Sequence, residues 1–224
     1  MRCAWVPAAV LVWAAAAAAE TDTDALFQHR VSSSDLPALI APQALKTAAT
    51  AALRGRFEQR KYLPELPRPL LSTGDFVLAR DVGVRWHTRT PFDSVFVLSR
   101  EGMSTHDEGG TLTSIRAQDQ PGVAEAARIL FELFALDFAA LEGDFDIYGS
   151  ANAGSAASRP WQVGLRPKQS ALAAIFKEAI VAGSDRASRI ELHDAHGDRT
   201  EILLLDVLAS PAGLTADERQ RFAE

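Results

Sequence analysis

Between Gly55 and Leu98, apolar and polar residues alternate with the period of two that paired strands impose. Phe76 and Leu78 alternate with Asp75, Val77 and Ala79; beyond a turn at Asp81, Val82, Val84 and Trp86 alternate with Gly83, Arg85 and His87. The pattern predicts three or four consecutive antiparallel strands with one apolar face. Turns at Glu101-Gly102 and Glu108-Gly109-Gly110 follow, with His106 and Asp107 read as loop, and a short strand over 111–115. Alternation returns at Phe145 and Ile147, at Trp161, Val163 and Leu165, over 175–181, at Ile190 and Leu192, and over 200–207 after a tight turn around Gly197.

Elsewhere the period lengthens. Asp35 offers an N-cap to Leu36 with Pro37 in the first turn, and 43–53 carries Leu45, Ala49 and Ala52 at helical spacing. The polar stretch 21–34 reads as loose. Pro64, Pro67 and Pro69 lack the donor a central ladder needs, so 61–69 reads as an exposed, stiff hairpin connection. Over 121–136 the apolar set (Val123, Ala126, Ala127, Ile129, Leu130, Phe131, Leu133, Phe134, Leu136) is wider than a surface helix requires, and a helix there must cover something apolar. Thr215 and Glu218 form a capping box for a terminal helix over 215–222. Nine to eleven strands with inserted helices predict a mainly β (α+β) chain: a bent antiparallel sheet with helices over its concave face.

Arg2, the apolar run 4–18 and Ala17-Ala18-Ala19 before Glu20 have the form of a secretory signal peptide cut after Ala19; the run is too short and alanine-rich to span a bilayer. Residues 20–224 are then one domain. The single cysteine, Cys3, lies inside the leader and too early to be a lipid acceptor, so the mature chain is cysteine-free and held by packing alone, for which 47% apolar residues is a fair supply. The formal charge of −6 contains no basic block, which argues against nucleic acid and anionic lipid as partners.

Catalytic chemistry finds little support. There is no Gly-x-Ser-x-Gly elbow, phosphate loop, dinucleotide fingerprint or His-Glu-x-x-His. His193, Asp194, His196 and Asp198 can be drawn as a metal site but read better as a solvated hairpin tip. Asp144 and Asp146 read as the solvent side opposite Phe145 and Ile147. The expectation is a non-enzyme with no cofactor and no metal.

Phe57 and Gln59, Gly74 and Phe76, Arg80 and Trp86, and then Pro91, follow one another in an order that resembles the LolA family of periplasmic lipoprotein carriers. Where family members often carry an aromatic W-x-Y segment, this chain has Met103-Ser104-Thr105-His106-Asp107. The resemblance implies an incomplete antiparallel β-barrel (a half-barrel) with a helical lid, for which 123–136 is the candidate, over an apolar cavity. It further implies acyl-chain contacts from Phe57, Phe76, Leu78, Trp86, Phe96, Leu98, Leu130, Phe134, Phe145 and Trp161, although composition alone favours a closed core built from these side chains. Arg80 would then be the lid latch, its donors suited to helix-terminal carbonyls. The implied function is a monomeric periplasmic carrier that takes lipoprotein from an inner-membrane release complex or exporter to an outer-membrane acceptor. A free glycolipid or lipid-linked metabolite is an alternative cargo, and a lipid-sensing envelope regulator an alternative class.

Overall fold

The computed structural model describes residues 23–222 except 108, 110, 111, 120–124, 126, 127, 130, 134, 152–159 and 175. The leader, Leu130 and Phe134 lie outside the described residues.

Eleven antiparallel strands form one sheet: β1 (Ala52–Tyr62), β2 (Leu70–Ala79), β3 (Gly83–Thr90), β4 (Ser94–Ser99), β5 (Gly102–Asp107), β6 (Leu112–Arg116), β7 (Phe145–Ala151), β8 (Trp161–Pro167), β9 (Phe176–Gly183), β10 (Ala187–Asp194) and β11 (Arg199–Ser210). The order is β6-β5-β4-β3-β2-β1-β11-β10-β9-β8-β7, so two meanders are fused through the long β1–β11 ladder and β6 and β7 remain as edges. The barrel is incomplete. His106 and Asp107, expected in a loop, belong to β5 because Met103 to Asp107 pair residue by residue with β4.

One sheet face carries the main core. Phe76, Leu78, Val84, Trp161, Val163, Leu165, Val181, Ile190 and Leu204 are buried in a single cluster with Leu36, Ile40, Ala44 and Ala48 from the N-terminal helices and Leu133, Leu136, Phe138 and Leu141 from the β6–β7 connection. That connection leaves one edge strand and enters the other, so it has to pass from one side of the sheet to the other; residues 125, 128, 129 and 131–133 within it are helical. The crossover explains why so wide an apolar set is needed there.

The N-terminal helices differ from the periodicity reading. α1 (Thr23–Leu26) is anchored, not loose: Leu26 and Phe27 are buried against Ile180 on the opposite, outer face of the sheet. After α2 (Leu36–Leu39), α3 (Pro42–Ala48) ends before Leu53, which pairs with Leu78 as part of β1. The buried stripe of α3 is Ala44 and Ala48, continuing from Ala41, whereas Ala49 is exposed. Small side chains at i, i+3 and i+7 let the helix lie close on the sheet.

The outer face also carries the C-terminal helix (Ala216–Arg221), started by the expected capping box, with Thr215 and Glu218 each bonding the other's backbone N–H. Leu214 and Phe222 pack on Ala52 and Ala79, and Arg54 Nη2 donates to Glu218 Oε2 at 2.6 Å.

Candidate functional site

The inner face is organised around three rings. Phe57 stacks on Trp86 with centroids 3.9 Å apart, and Trp86 lies 5.8 Å from Phe76. Two glycines make the room: a Cβ on Gly74 would collide with the His87 carbonyl and stand 2.7 Å from the Phe57 ring, and one on Gly55 would stand 2.8 Å from the Phe76 ring. Glycine is needed here for close approach, as its lack of a Cβ permits. Leu78 lies in the same cluster, across β2 and β3 from Val84.

The remaining sequence-derived positions fall into two neighbourhoods. Leu98 and half-buried Phe96 cluster with Met103, Ile115 and Phe131 at the β4–β6 side. Phe145 and Trp161 lie in the main cluster; Phe145 stacks on Phe176 at 5.7 Å, and Trp161 Nε1 donates to the Ser184 carbonyl at 2.8 Å. Phe131 packs against both clusters, which makes the 125–133 segment the bridge between them. Alternation on β1 and β11 would have found Leu53 and Leu204, which the motif-based reading passed over although they line the interior; Val207 lines it too, but stands beyond a bulge in this ladder that alternation does not cross.

Between α3 and the sheet there remains a cavity of about 20 Å³, lined by Ala44, Ala48, Leu53, Phe76, Leu204 and Val207 with Arg186 at its border. That is room for about one water molecule.

Arg80 Nη2 donates to the carbonyl of Ala48 at 2.9 Å, at the C-terminal end of α3. The described helix it reaches is therefore α3; sequence reading had cast it for the segment over 123–136, part of which lies outside the described residues. That segment has an arginine of its own. Arg128 Nη1 bonds Glu132 at 2.5 Å, and its Nη2 pairs with Glu125 and with Asp144 beside β7. Asp144, expected to be solvated, is thus tied to the crossover, and Asp146 pairs with Arg30 at 2.5 Å.

The His193–Asp198 hairpin also departs from a plain polar tip. Asp194 Oδ1 accepts the N–H groups of His196 (2.7 Å) and Asp198 (2.9 Å) as a turn should. His193 instead turns onto the outer sheet face, where its Nε2 is 2.6 Å from buried Glu191 and its Nδ1 3.6 Å from buried Glu178. The hydrogen bond with His193 holds the Glu191 carboxyl below its usual range despite burial. Among the described residues no group of three or more His, Cys, Asp and Glu side chains is arranged to hold a metal. No helix among them is long and apolar enough to cross a membrane.

Five of the large apolar side chains exposed on the molecule, Leu66, Leu70, Leu71, Phe92 and Leu112, stand in or beside the β1–β2, β3–β4 and β5–β6 hairpins. In an antiparallel meander these three turns share one end of the sheet.

Comparison with known proteins gives structural likenesses only. A protein domain from Vibrio parahaemolyticus described as outer-membrane lipoprotein-sorting is similar to 82% of this chain over 100% of its own length, with 9% identity and a TM-score of 0.40. A LolA superfamily protein from Nitrosomonas europaea is similar over 80% of this chain and 96% of its own, with 10% identity and a TM-score of 0.40. A DUF1329 family protein from Desulfovibrio piger is similar over 79% and 95%, with 7% identity and a TM-score of 0.38. No protein-family model matches the chain, and no curated protein matches its sequence.

Proposed function

We propose that this chain is a non-enzymatic periplasmic carrier that shields the acyl chains of a lipoprotein, or of another lipid-bearing molecule, between an inner-membrane donor and an outer-membrane acceptor. The observation that carries the reading is the construction of the inner face: an apolar, aromatic-lined surface on an incomplete barrel, covered by two separate helical elements. Each cover is held near the sheet by one arginine, Arg80 for α3 and Arg128 for the crossover. Covers fastened by a few polar bonds over an apolar floor suit an interior that opens.

The energetic case for such a protein is direct. At about 0.8 kcal/mol per methylene, an acyl chain of about 15 methylenes costs on the order of 12 kcal/mol to expose to water. The space of about 20 Å³ beneath α3 cannot hold such a chain, so on this reading cargo that enters there displaces α3, exchanging cover-to-sheet contacts for chain-to-sheet contacts. The side chains that meet it are Phe57, Phe76, Leu78, Trp86, Phe96, Leu98, Phe145 and Trp161, with Leu130 and Phe134 contributed by the crossover.

The deciding experiment has two parts. Mass spectrometry of organic extract from natively purified protein identifies the cargo and separates lipoprotein from free glycolipid. A fluorescent acyl probe should gain intensity on binding and be displaced by lipidated peptide; Phe96→Asp should abolish the gain while circular dichroism stays that of the wild type. A wild-type protein that neither carries lipid nor binds the probe would identify the inner face as a closed core.

A further inference from the structure

Leu66, Leu70 and Leu71 at the β1–β2 turn, Phe92 at the β3–β4 turn and Leu112 at the start of β6 are all exposed at one end of the sheet, Phe92 by 74%. Neighbouring strands lie about 4.8 Å apart, so these three turns follow one another at about 10 Å in a row of about 20 Å. The β10–β11 turn comes to the same end, where a Cβ on Gly197 would stand 3.7 Å from Pro64. That turn is polar, with exposed His196 beside Asp198. The apolar tips thus belong to the β1–β6 half of the sheet.

Their arrangement says what they meet. Each turn presents its own few side chains with polar residues between them, unlike the continuous apolar patch against which a protein partner packs. A fluid bilayer surface accepts such side chains at any spacing. The backbone at the tips also has few donors to strip of water: Pro64, Pro67, Pro69 and Pro91 have none, and the Leu66 N–H donates to the Leu63 carbonyl at 3.0 Å. Turns built in this way avoid much of the cost that unpaired N–H groups meet in an acyl phase. Behind the tips, where β1 pairs with β11, the Arg199 guanidinium lies 3.9 Å from the centre of the Tyr62 ring. Tyrosine and arginine are side chains that settle at headgroup depth. The exposed charges of the β1–β2 and β3–β4 turns are Glu65, Arg68 and Asp93, one basic against two acidic, which suits a zwitterionic surface better than an anionic one.

We propose that this end of the sheet docks on the surface of a zwitterionic phospholipid bilayer. Leu66, Leu70, Leu71 and Phe92 enter the acyl boundary, Leu112 lies at the margin, Tyr62 and Arg199 stand among the headgroups, and the β10–β11 turn stays in water. The proposal goes beyond the carrier reading and does not rest on it, since docking needs neither cargo nor movement of a cover. The cavity beneath α3, at Leu53 and Val207, lies toward the other end of the same strands.

The test is flotation of the chain from Glu20 onward, which contains every described residue and no cysteine, with cargo-free vesicles of phosphatidylcholine. The wild type should float with the vesicles. Leu66→Ser combined with Phe92→Ser should lower partitioning by about tenfold or more at unchanged Tm. Leu208→Ser removes a leucine that is 68% exposed near the other end of β11 and should float as the wild type does. Adding phosphatidylglycerol to the vesicles should not strengthen binding. An NBD label on Phe92→Cys should shift to the blue on vesicles and be quenched by doxyl-labelled lipid, whereas the same label on His196→Cys should do neither. A wild type that stays unbound, flotation only with anionic vesicles, an equal loss in Leu208→Ser, or equal quenching at the two labelled positions would each overturn the proposal.

Discussion

Arg80 and Arg128 hold their helices by different chemistry, and the difference predicts different phenotypes. Arg80 makes one charge-assisted bond to a backbone carbonyl, the kind worth roughly 1.5–3 kcal/mol when well made. Losing it should shift the open-to-closed ratio of α3 by about 10- to 150-fold. On the carrier reading, Arg80→Leu should load cargo normally and deliver it slowly in a transfer assay, with Arg80→Lys milder because it keeps the charge and some donors. Transfer at the wild-type rate would leave Arg80 an ordinary end-of-strand residue. A pH dependence belongs to Glu218. Its bond from Arg54, followed by backbone and side-chain bonds at Thr215, lowers its carboxyl from 4.5 to about 2. A carboxyl depressed by folding contributes stability that is complete above the unfolded value, about 4.5, and disappears as pH falls toward about 2. Glu218→Gln should therefore lower Tm at neutral pH by about 2–4 °C, for a loss on the order of 1 kcal/mol. Between pH 4.5 and 2 the gap to wild type should close. A gap that stays constant across the acid range would show that the loss does not come from the ionised pair.

Strands were easier to read than helices, for a physical reason. Phe76, Leu78, Val84 and Trp86 are large, alternate strictly and all face inward, so their period survives in the sequence. α3 contacts the sheet through Ala41, Ala44 and Ala48, and alanine is too nearly neutral to mark a face; Leu45 drew attention to a flank, and Leu53 was assigned to helix although its partner across the sheet is Leu78. The β1–β11 ladder also holds a bulge that periodicity does not show. Arg54 pairs with Leu208 but Arg56 with Leu205, and Asp206, at φ 51°, takes up the extra residue. Aspartate is among the few side chains that enter this region with ease, and a bulge bends the strand and increases its twist. The arginine motif was legible but its partner was not, because the end of α3 comes beside Arg80 only through tertiary packing. At this scale Gly74 gives the sharpest test. An added methyl meets the His87 backbone and the Phe57 ring together, so Gly74→Ala should cost about 1–3 kcal/mol in urea unfolding. Gly143→Ala, where a Cβ meets nothing within 4 Å, is the control and should be near neutral. Equal midpoints for the two variants would mean that the ring stack adapts.

At the level of the whole molecule, the strand order explains why there are two covers. The first and last strands, β1 and β11, pair at the centre of the sheet, so the chain before β1 and the connection between the edge strands β6 and β7 are both available to lie over the inner face. Each half of the sheet is a local meander, but the β1–β11 pairing joins the ends of the described chain, which leaves the placement of both covers to long-range packing. This is why the lid assignment from sequence was incomplete: the crossover was recognised by its apolar excess, whereas α3 was not recognised as its counterpart. The two covers can be distinguished by clamping one. Ala44 of α3 and Leu204 of β11 line the same cavity of about 20 Å³, so Ala44→Cys with Leu204→Cys, in a chain whose Cys3 is replaced by serine, provides a bridge between cover and floor. If cargo enters beneath α3, the oxidised protein should fail to take up a long-chain acyl probe, and reduction should restore uptake to the level of the same protein before oxidation. Short-chain probes should discriminate less, since they require less of the cover to move. Uptake that is equally fast in the oxidised and reduced forms would show that α3 stays in place, and would assign the opening to the crossover held by Arg128 and Asp144.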